Sequence, residues 1–221
     1  MPTFKDFYFK SSTGKNRIHA RMCIPGSDVR AVVQIIHGIG EHIERYDDFM
    51  SFLASNGFLA VGTDHLGHGK SIEKEEQLGF LADTDGWTYI VNDEEILRRA
   101  MKENYPNVPQ IVFGHSMGSF MTRTHLIRFP GGFDAAIISG TGNQSPALVL
   151  GGLTMGNLVV ALKGPITTAS FSTTWPSAAT ISSTAWSGLI TTGSPAMRRR
   201  SISMWLIPSA ALFRAAACSG I

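Results

Sequence analysis

The second part of the sequence contains no acidic residue and no histidine. All 17 Asp and Glu residues lie at or before Asp134, and the seven His residues end at His125. Residues 1–134 carry a net charge of −3, whereas residues 135–221 hold five basic residues, a net charge of +5. A basic segment can bind nucleic acid, but only Arg198–Arg200 form a cluster here. We therefore predict no nucleic-acid partner.

The sequence also has few cysteines and no apolar run at its N-terminus. The two thiols, Cys23 and Cys218, have neither metal nor redox spacing, which is typical of a reducing compartment. Residues 1–14 include three charged side chains and no apolar stretch, so they do not resemble a signal peptide. We expect a cytoplasmic protein that uses no cofactor and no metal ion.

Short apolar runs alternate with segments of helical period up to residue 139. Runs such as Ala31–Ile36 (AVVQII) and residues 58–63 (FLAVGT) are typical of strands covered on both faces. The other predicted strands span residues 3–11, 17–24, 110–114 and 135–139, and the predicted helices span residues 47–56, 84–104 and 117–129. This alternation predicts an α/β fold, a mostly parallel sheet with flanking helices on both faces.

The segment Gly114-His115-Ser116-Met117-Gly118 has the pattern G-x-S-x-G and follows a predicted strand directly. A helix is predicted immediately after it, which places the serine on a sharp strand-to-helix turn. The flanking glycines and His115 would support this turn, and the helix N–H groups would face a developing oxyanion. The context predicts a nucleophilic serine; the alternative is a tight turn with an incidental serine.

A second motif, residues 37–42 (HGIGEH), follows the strand of residues 31–36. We predict that the amides of Ile39 and Met117 form an oxyanion hole, with His37 and Gly38 supporting the loop. The two histidines of this motif could instead bind a metal ion, but no third ligand lies at metal spacing. We favour a fold-supporting role for His37.

A third polar segment, residues 64–71 (DHLGHGKS), follows the strand of residues 58–63. It is too short and wrongly spaced for a dinucleotide-binding fingerprint. We expect a tight loop in which Asp64 and Ser71 cap neighbouring backbone N–H groups.

Together, HGIGEHIERYDDF, DHLGHGKS and GHSMGSF resemble the monoacylglycerol lipase and lysophospholipase branch of the α/β-hydrolases, which is grouped with serine aminopeptidase-type hydrolases. The resemblance covers about residues 1–165. It implies a serine acyl-hydrolase that cleaves lipid monoesters through an acyl-enzyme, with Ser116 as nucleophile and Ile39 and Met117 as oxyanion donors. In such hydrolases the acid and the general base follow the serine in chain order.

The sequence departs from this pattern after Ser116. The only later histidine is His125 and the only later acid is Asp134. His125 lies nine residues into the predicted helix, about 13 Å along its axis and too far to reach Ser116 Oγ. The His115 side chain should point away from that oxygen. We therefore expect a serine hydrolase that lacks the triad Asp and His and is inactive as the chain stands.

Residues 166–221 change in composition. They are rich in Ser, Thr and Ala but include three of the four tryptophans, whereas disordered stalks have few aromatics. We interpret this segment as the product of a reading-frame slip near residue 165, because ITTASFSTTWPSAATIS can be encoded so that the neighbouring frame reads YHSKFLNNLAFGSYNK. The prediction is a partial α/β-hydrolase domain with the start of a lid over residues 1–165, and an aberrant, poorly packed tail over residues 166–221.

Residues 145–162 contain no charged side chain. They predict either a membrane span or, as we favour, an amphipathic helix that covers a pocket. Two alternative functions stay open beside the hydrolase: a non-catalytic ligand-binding relative on the same fold, and a membrane-associated protein that uses this segment. For the hydrolase we expect a small acyl ester or lipid substrate and, at most, peripheral membrane contact.

Overall fold

The computed structural model of the chain describes residues 1–82, 85–143, 145, 147, 150–152, 154 and 205–208. The chain divides into two units, one formed by residues 1–142 and 204–221 and the other by residues 143–203. The first unit contains the three sequence motifs.

Seven strands form one sheet in the first unit. They are β1 (Thr3–Lys10), β2 (Arg17–Ile24), β3 (Ala31–Ile36), β4 (Phe58–Thr63), β5 (Gln110–His115), β6 (Ala135–Ser139) and β7 (Trp205–Pro208). Their order across the sheet is β1-β2-β4-β3-β5-β6-β7. β4, β3, β5 and β6 run parallel, while β1, β2 and β7 pair antiparallel with their neighbours. The mostly parallel sheet is thus confirmed, and β1 and β2 form an N-terminal hairpin.

Three helices cover the two faces of this sheet. They are α1 (Asp47–Ser55), α2 (Gly86–Asn104) and α3 (Met117–Arg128). Met50 and Ala54 of α1 pack with Ile35 on one face, whereas Leu97 of α2 packs with Val32 on the other. Residues 32 and 35 lie on opposite faces because side chains alternate along a strand. Every residue of β3 is buried, as its unbroken apolar run predicts.

β7 differs from the expectation for the tail. The sequence shows no sustained strand period between residues 166 and 221, yet residues 205–208 pair antiparallel with β6. A four-residue pairing is too short to show a period of two, so the sequence pattern could not reveal it. The rest of the predicted poorly packed tail lies outside the described residues.

The segment predicted as a lid or membrane helix, residues 145–162, is described at a few positions. Residues 147, 150–152 and 154 are helical, and the Thr154 hydroxyl donates to the Leu150 carbonyl over 2.9 Å. Within the described ranges, no helix is long and apolar enough to cross a bilayer. The remaining positions of this segment lie outside the described residues.

Candidate active site

Ser116 stands at the junction between β5 and α3, as predicted. Its backbone has φ 52° and ψ −117°, a conformation that side-chain-bearing residues adopt only under strain. The Ser116 N–H donates to the carbonyl of Ser139 over 3.0 Å, which ties the bend to the end of β6. The strand therefore turns sharply at the serine and enters the helix immediately afterwards.

The two glycines of this bend have no room for a side chain. A Cβ atom at Gly118 would lie 2.0 Å from the Ile36 carbonyl oxygen at the end of β3. A Cβ atom at Gly114 would lie 2.2 Å from Thr122 Oγ1 in α3. Because α3 approaches both β3 and β5 this closely, only glycine fits at these two positions.

The turn after β3 lies against the serine. A Cβ atom at Gly38 would be 3.2 Å from the Cβ of Ser116. β3 and β5 are adjacent parallel strands, so the loops at their carboxyl ends meet at one edge of the sheet. The structure thus brings together the predicted nucleophile and the loop that carries the predicted donor Ile39, whose side chain is exposed.

A carboxylate that the sequence analysis did not single out holds this turn. Glu41 Oε1 accepts the Gly38 N–H over 2.5 Å and the Tyr46 hydroxyl over 2.7 Å, and its Oε2 lies 3.7 Å from Arg45 Nε. Burial and the neighbouring Glu41 charge raise the pKa of Tyr46 above its usual value. Only the three-residue spacing from Gly38 to Glu41 hinted at this contact, and such a spacing is common.

His37 lies in the interior of the domain, next to this turn. Its ring is fully buried and stacks on His65 at 3.8 Å. Its Nδ1–H donates to the Gly38 carbonyl over 2.7 Å, and its Nε2 accepts the His65 backbone N–H over 3.2 Å. His42 is instead half-exposed, near Glu44. In the part of the chain that the structure describes, no three metal-ligating side chains form a cluster.

The loop of residues 64–71 is capped by Asp64 and Ser71, as predicted. Asp64 accepts the Ile43 N–H and the Lys70 N–H, each over 2.7 Å, and its Oδ2 lies 2.8 Å from His19 Nδ1. Burial opposes ionisation of this carboxyl, but these hydrogen bonds outweigh it and hold its pKa at about 2. Ser71 Oγ accepts the His19 N–H over 2.9 Å and donates to the Asp64 carbonyl over 2.6 Å.

His125 and Asp134 belong to the packing of the domain. His125 Nε2 lies 3.0 Å from Glu95 Oε2 of α2, and its ring is buried beside Phe129 and Phe133. Asp134 accepts the Gln110 N–H over 2.8 Å. His115 Nδ1, next to the serine in sequence, lies 3.3 Å from Ser139 Oγ.

A family profile, serine aminopeptidase S33, matches residues 27–185, which include the bend at Ser116 and the turn at Gly38. The chain belongs to the serine aminopeptidase S33 family. The predicted resemblance is therefore confirmed, and the fold is that of the α/β-hydrolases.

Relatives of this S33 family member include lipases and an esterase. The monoacylglycerol lipase of Mycolicibacterium smegmatis is 32% identical over 153 residues, which cover 67% of this chain and 52% of the lipase. The monoglyceride lipase homolog of monkeypox virus is 32% identical over 151 residues, covering 68% and 51%. A thermostable carboxyl esterase from Bacillus coagulans, solved with glycerol, has a TM-score of 0.66 at 32% identity and covers 73% of this chain and 52% of the esterase. The chain thus spans about half the length of the curated relatives.

Proposed function

We propose that this chain carries the nucleophile and the oxyanion-binding part of a serine hydrolase that cleaves carboxylic esters of lipids. The observation that carries the proposal is the strained bend at Ser116, which lies between a buried strand and a helix and against the turn at Gly38. A strained backbone persists where the surrounding structure enforces it, and such sites cluster where chemistry takes place.

In the proposed reaction, Ser116 Oγ attacks the ester carbonyl carbon and loses its proton to a base. The carbonyl oxygen becomes an oxyanion that accepts hydrogen bonds from the Ile39 and Met117 amides. The positive end of the α3 dipole also stabilises this oxyanion. When the C–O bond breaks, the alcohol takes up a proton and leaves an acyl-serine. Water then attacks the acyl-serine, releases the fatty acid and returns the proton to Ser116.

The sequence offers few side chains that could accept the proton of Ser116. After Ser116 the sequence contains only His125 and Asp134 as a possible base and acid, and both are engaged in packing contacts. Loss of the base or of the whole triad lowers kcat by about 10⁶ in a well-studied serine hydrolase. We therefore propose that the chain alone turns over esters very slowly.

The substrate class in this proposal comes from the relatives. The two curated relatives are a monoacylglycerol lipase and a monoglyceride lipase homolog, and the structural relative from Bacillus coagulans is a carboxyl esterase solved with glycerol. We propose a lipid monoester, either a monoacylglycerol or a lysophospholipid, as the substrate. The alcohol product is then glycerol or a glycerophosphate head group.

The proposal is tested by chemical rescue with imidazole, which can replace a missing histidine base. We expect p-nitrophenyl butyrate hydrolysis near background without imidazole, and a rate that rises with imidazole concentration more steeply in the native chain than in Ser116→Ala. Ser116→Ala measures the ester hydrolysis that imidazole itself causes.

Equal rates for the native chain and Ser116→Ala at every imidazole concentration would contradict the nucleophile assignment. Rapid Ser116-dependent turnover without imidazole would contradict the lack of a base.

A further inference from the structure

A group of polar side chains is buried behind the turn at His37 and Gly38. Thr63 ends β4, His65 follows it, Gln34 lies in β3 and Glu94 lies in α2. Their exposed fractions are 1% for Thr63, 2% for His65 and 0% for Gln34 and Glu94. Gln34 Oε1 has no hydrogen-bond partner among the described residues. For the other polar atoms of the group, which are paired as buried polar atoms usually are, the donors and acceptors indicate where the protons lie.

The hydrogen bonds of His65 fix the role of each ring nitrogen. Its Nε2 lies 3.1 Å from the His37 carbonyl oxygen, which can only accept, so Nε2 carries a proton. Burial lowers the pKa of His65 to about 4, which leaves the ring neutral at pH 7. Nδ1 of His65 is therefore an acceptor without a proton.

This acceptor faces two oxygens that are themselves close together. His65 Nδ1 lies 3.4 Å from Thr63 Oγ1 and 3.4 Å from Glu94 Oε1, and the two oxygens are 2.5 Å apart. The Thr63 hydroxyl supplies one proton, which cannot serve both the carboxyl and the imidazole. A second proton on Glu94 Oε1 would satisfy all three atoms, with the carboxyl as donor to Thr63 and Thr63 as donor to His65.

The other carboxyl oxygen fits a neutral acid as well. Glu94 Oε2 accepts from Gln34 Nε2 over 2.5 Å, as the carbonyl oxygen of a protonated carboxyl would. The same Gln34 nitrogen lies 2.9 Å from the Glu94 backbone carbonyl, so both amide protons point at α2. Each Glu94 oxygen thus has one hydrogen-bond role.

The groups whose charge would favour an ionised Glu94 are two imidazoles, those of His37 and His125. The ionisable groups that influence it or neighbour it are His37, His65, His125 and Asp93. Burial lowers the pKa of each of these three imidazoles. Burial also raises the pKa of Glu94 above its usual value, because desolvation disfavours the charged form.

We propose that Glu94 is a neutral carboxylic acid at pH 7 and a positioning residue whose proton begins a directed hydrogen-bond chain through Thr63 and His65 to the His37 carbonyl. The chain orients His37, whose Nδ1–H donates to the Gly38 carbonyl. In a trans peptide the N–H points opposite to the C=O. Holding the Gly38 carbonyl therefore sets the direction of the Ile39 N–H, the proposed oxyanion donor. The positioning role rests on the proposed function; the protonation of Glu94 does not.

Infrared spectroscopy tests the protonation directly, with Glu94→Gln as the matched variant. A protonated carboxyl absorbs apart from ionised carboxylates, so the difference spectrum at pH 7 should show a carboxylic-acid band that Glu94→Gln lacks. Glutamine reproduces one donor and one acceptor, and we expect its Tm within about 2 °C of the native chain, with a clearly lower Tm for Glu94→Ala. Loss of an ionised-carboxylate band instead would overturn the proposal.

The pH dependence of stability gives a second measurement with a definite sign. A carboxyl whose pKa is raised on folding stabilises the fold fully below its unfolded pKa of about 4.3, and this stabilisation is lost as the pH rises through the folded pKa. Glu94→Gln has no such loss. The Tm of the variant minus that of the native chain should therefore increase from pH 4 upwards, and a constant difference would contradict a neutral Glu94.

The positioning role is tested by covalent modification of Ser116, with Thr63→Val and Thr63→Ser as the matched pair. With imidazole present as the base, we expect Thr63→Val to lower the limiting rate of phosphonylation by a p-nitrophenyl alkylphosphonate about tenfold, because a misdirected oxyanion donor is a weaker one. The phosphonate concentration that gives half the limiting rate should change little. Thr63→Ser, which keeps the hydroxyl, should react within about threefold of the native rate.

The outcomes separate the two proposals. An unchanged limiting rate in Thr63→Val overturns the positioning role. If the native chain reacts no faster than Ser116→Ala when imidazole is present, the proposed function fails, and the infrared and pH measurements still decide the protonation of Glu94.

Discussion

The backbone of Ser116 carries a conformational cost that its chemistry requires. At φ 52° and ψ −117° a residue with a Cβ atom is strained by about 1–3 kcal/mol, whereas glycine adopts such angles freely. Glycine at position 116 relieves this strain, but glycine also loses more chain entropy on folding, which offsets part of the gain. We therefore predict that Ser116→Gly is more stable than Ser116→Ala by about 1 kcal/mol. Urea unfolding of the two variants measures the difference.

An ordinary helical position provides the control. Arg123 is an exposed residue of α3, where Gly is less favourable than Ala by about 1 kcal/mol. Arg123→Gly should thus be less stable than Arg123→Ala, the reverse of the order at position 116. The same order at both positions would show that Ser116 is not strained.

Sequence reasoning at this scale found the residues that lie in short patterns. Ser116 directly follows β5 and Gly38 lies two residues after the end of β3, and the structure brings them together. Glu41 was missed because its three-residue spacing from Gly38 is common, and Glu94 was missed because its partners are defined by three-dimensional proximity. The Thr63–Glu94 contact joins residues 31 positions apart on different elements, which no local period can reveal.

Among the elements, the loop that follows β4 depends on one ionised carboxylate. Asp64 joins this loop to β2 through His19 and to the turn before α1 through Ile43. Burial opposes its ionisation, yet these hydrogen bonds hold its pKa at about 2. Such a depressed pKa stabilises the fold above the unfolded value of about 3.9 and ceases to do so as the pH falls through about 2.

We predict that Asp64→Asn lowers the free energy of unfolding by about 2–3 kcal/mol at pH 7. Between about pH 4 and pH 2 the native chain should lose this advantage, so that the two stability curves converge in acid. Urea unfolding across this range measures both effects.

Asp28→Asn, at an exposed position before β3, is the matched control for loss of one acid. It should change stability by less than about 0.5 kcal/mol at pH 7. Equal effects of the two substitutions would contradict the anchoring role of Asp64.

The elements themselves were largely predictable. Continuous apolar runs identified β3 and β4 because both faces of a central parallel strand are covered. Helix α3 continues to Arg128, within one residue of its predicted end. β7 was not predictable, because its pairing with β6 is a tertiary event that involves only four residues.

For the molecule as a whole, the chain spans about half the length of its curated relatives. If the proton-handling groups are what the proposed reaction lacks, a relative can supply them. We predict that residues 1–142, fused to the half of the Mycolicibacterium smegmatis lipase that this chain does not match, hydrolyse p-nitrophenyl butyrate at least about 10³ times faster than the native chain.

Ser116→Ala in the same fusion should abolish the gain. A folded fusion, judged by its circular dichroism and cooperative melting, that shows no Ser116-dependent turnover would contradict the assignment of the nucleophile half.

The pairing of β3 with β5, and of Ser116 with the carbonyl of Ser139, has a consequence for how such a site is made in the cell. Among the described residues, the hydrogen bonds that hold the bend at the serine and the facing turn come from residues up to Ser139. A ribosome that has released the chain up to Ser139 has released every residue of the proposed oxyanion hole. Under the proposed function, binding of a negatively charged oxygen could therefore precede ester cleavage during biosynthesis.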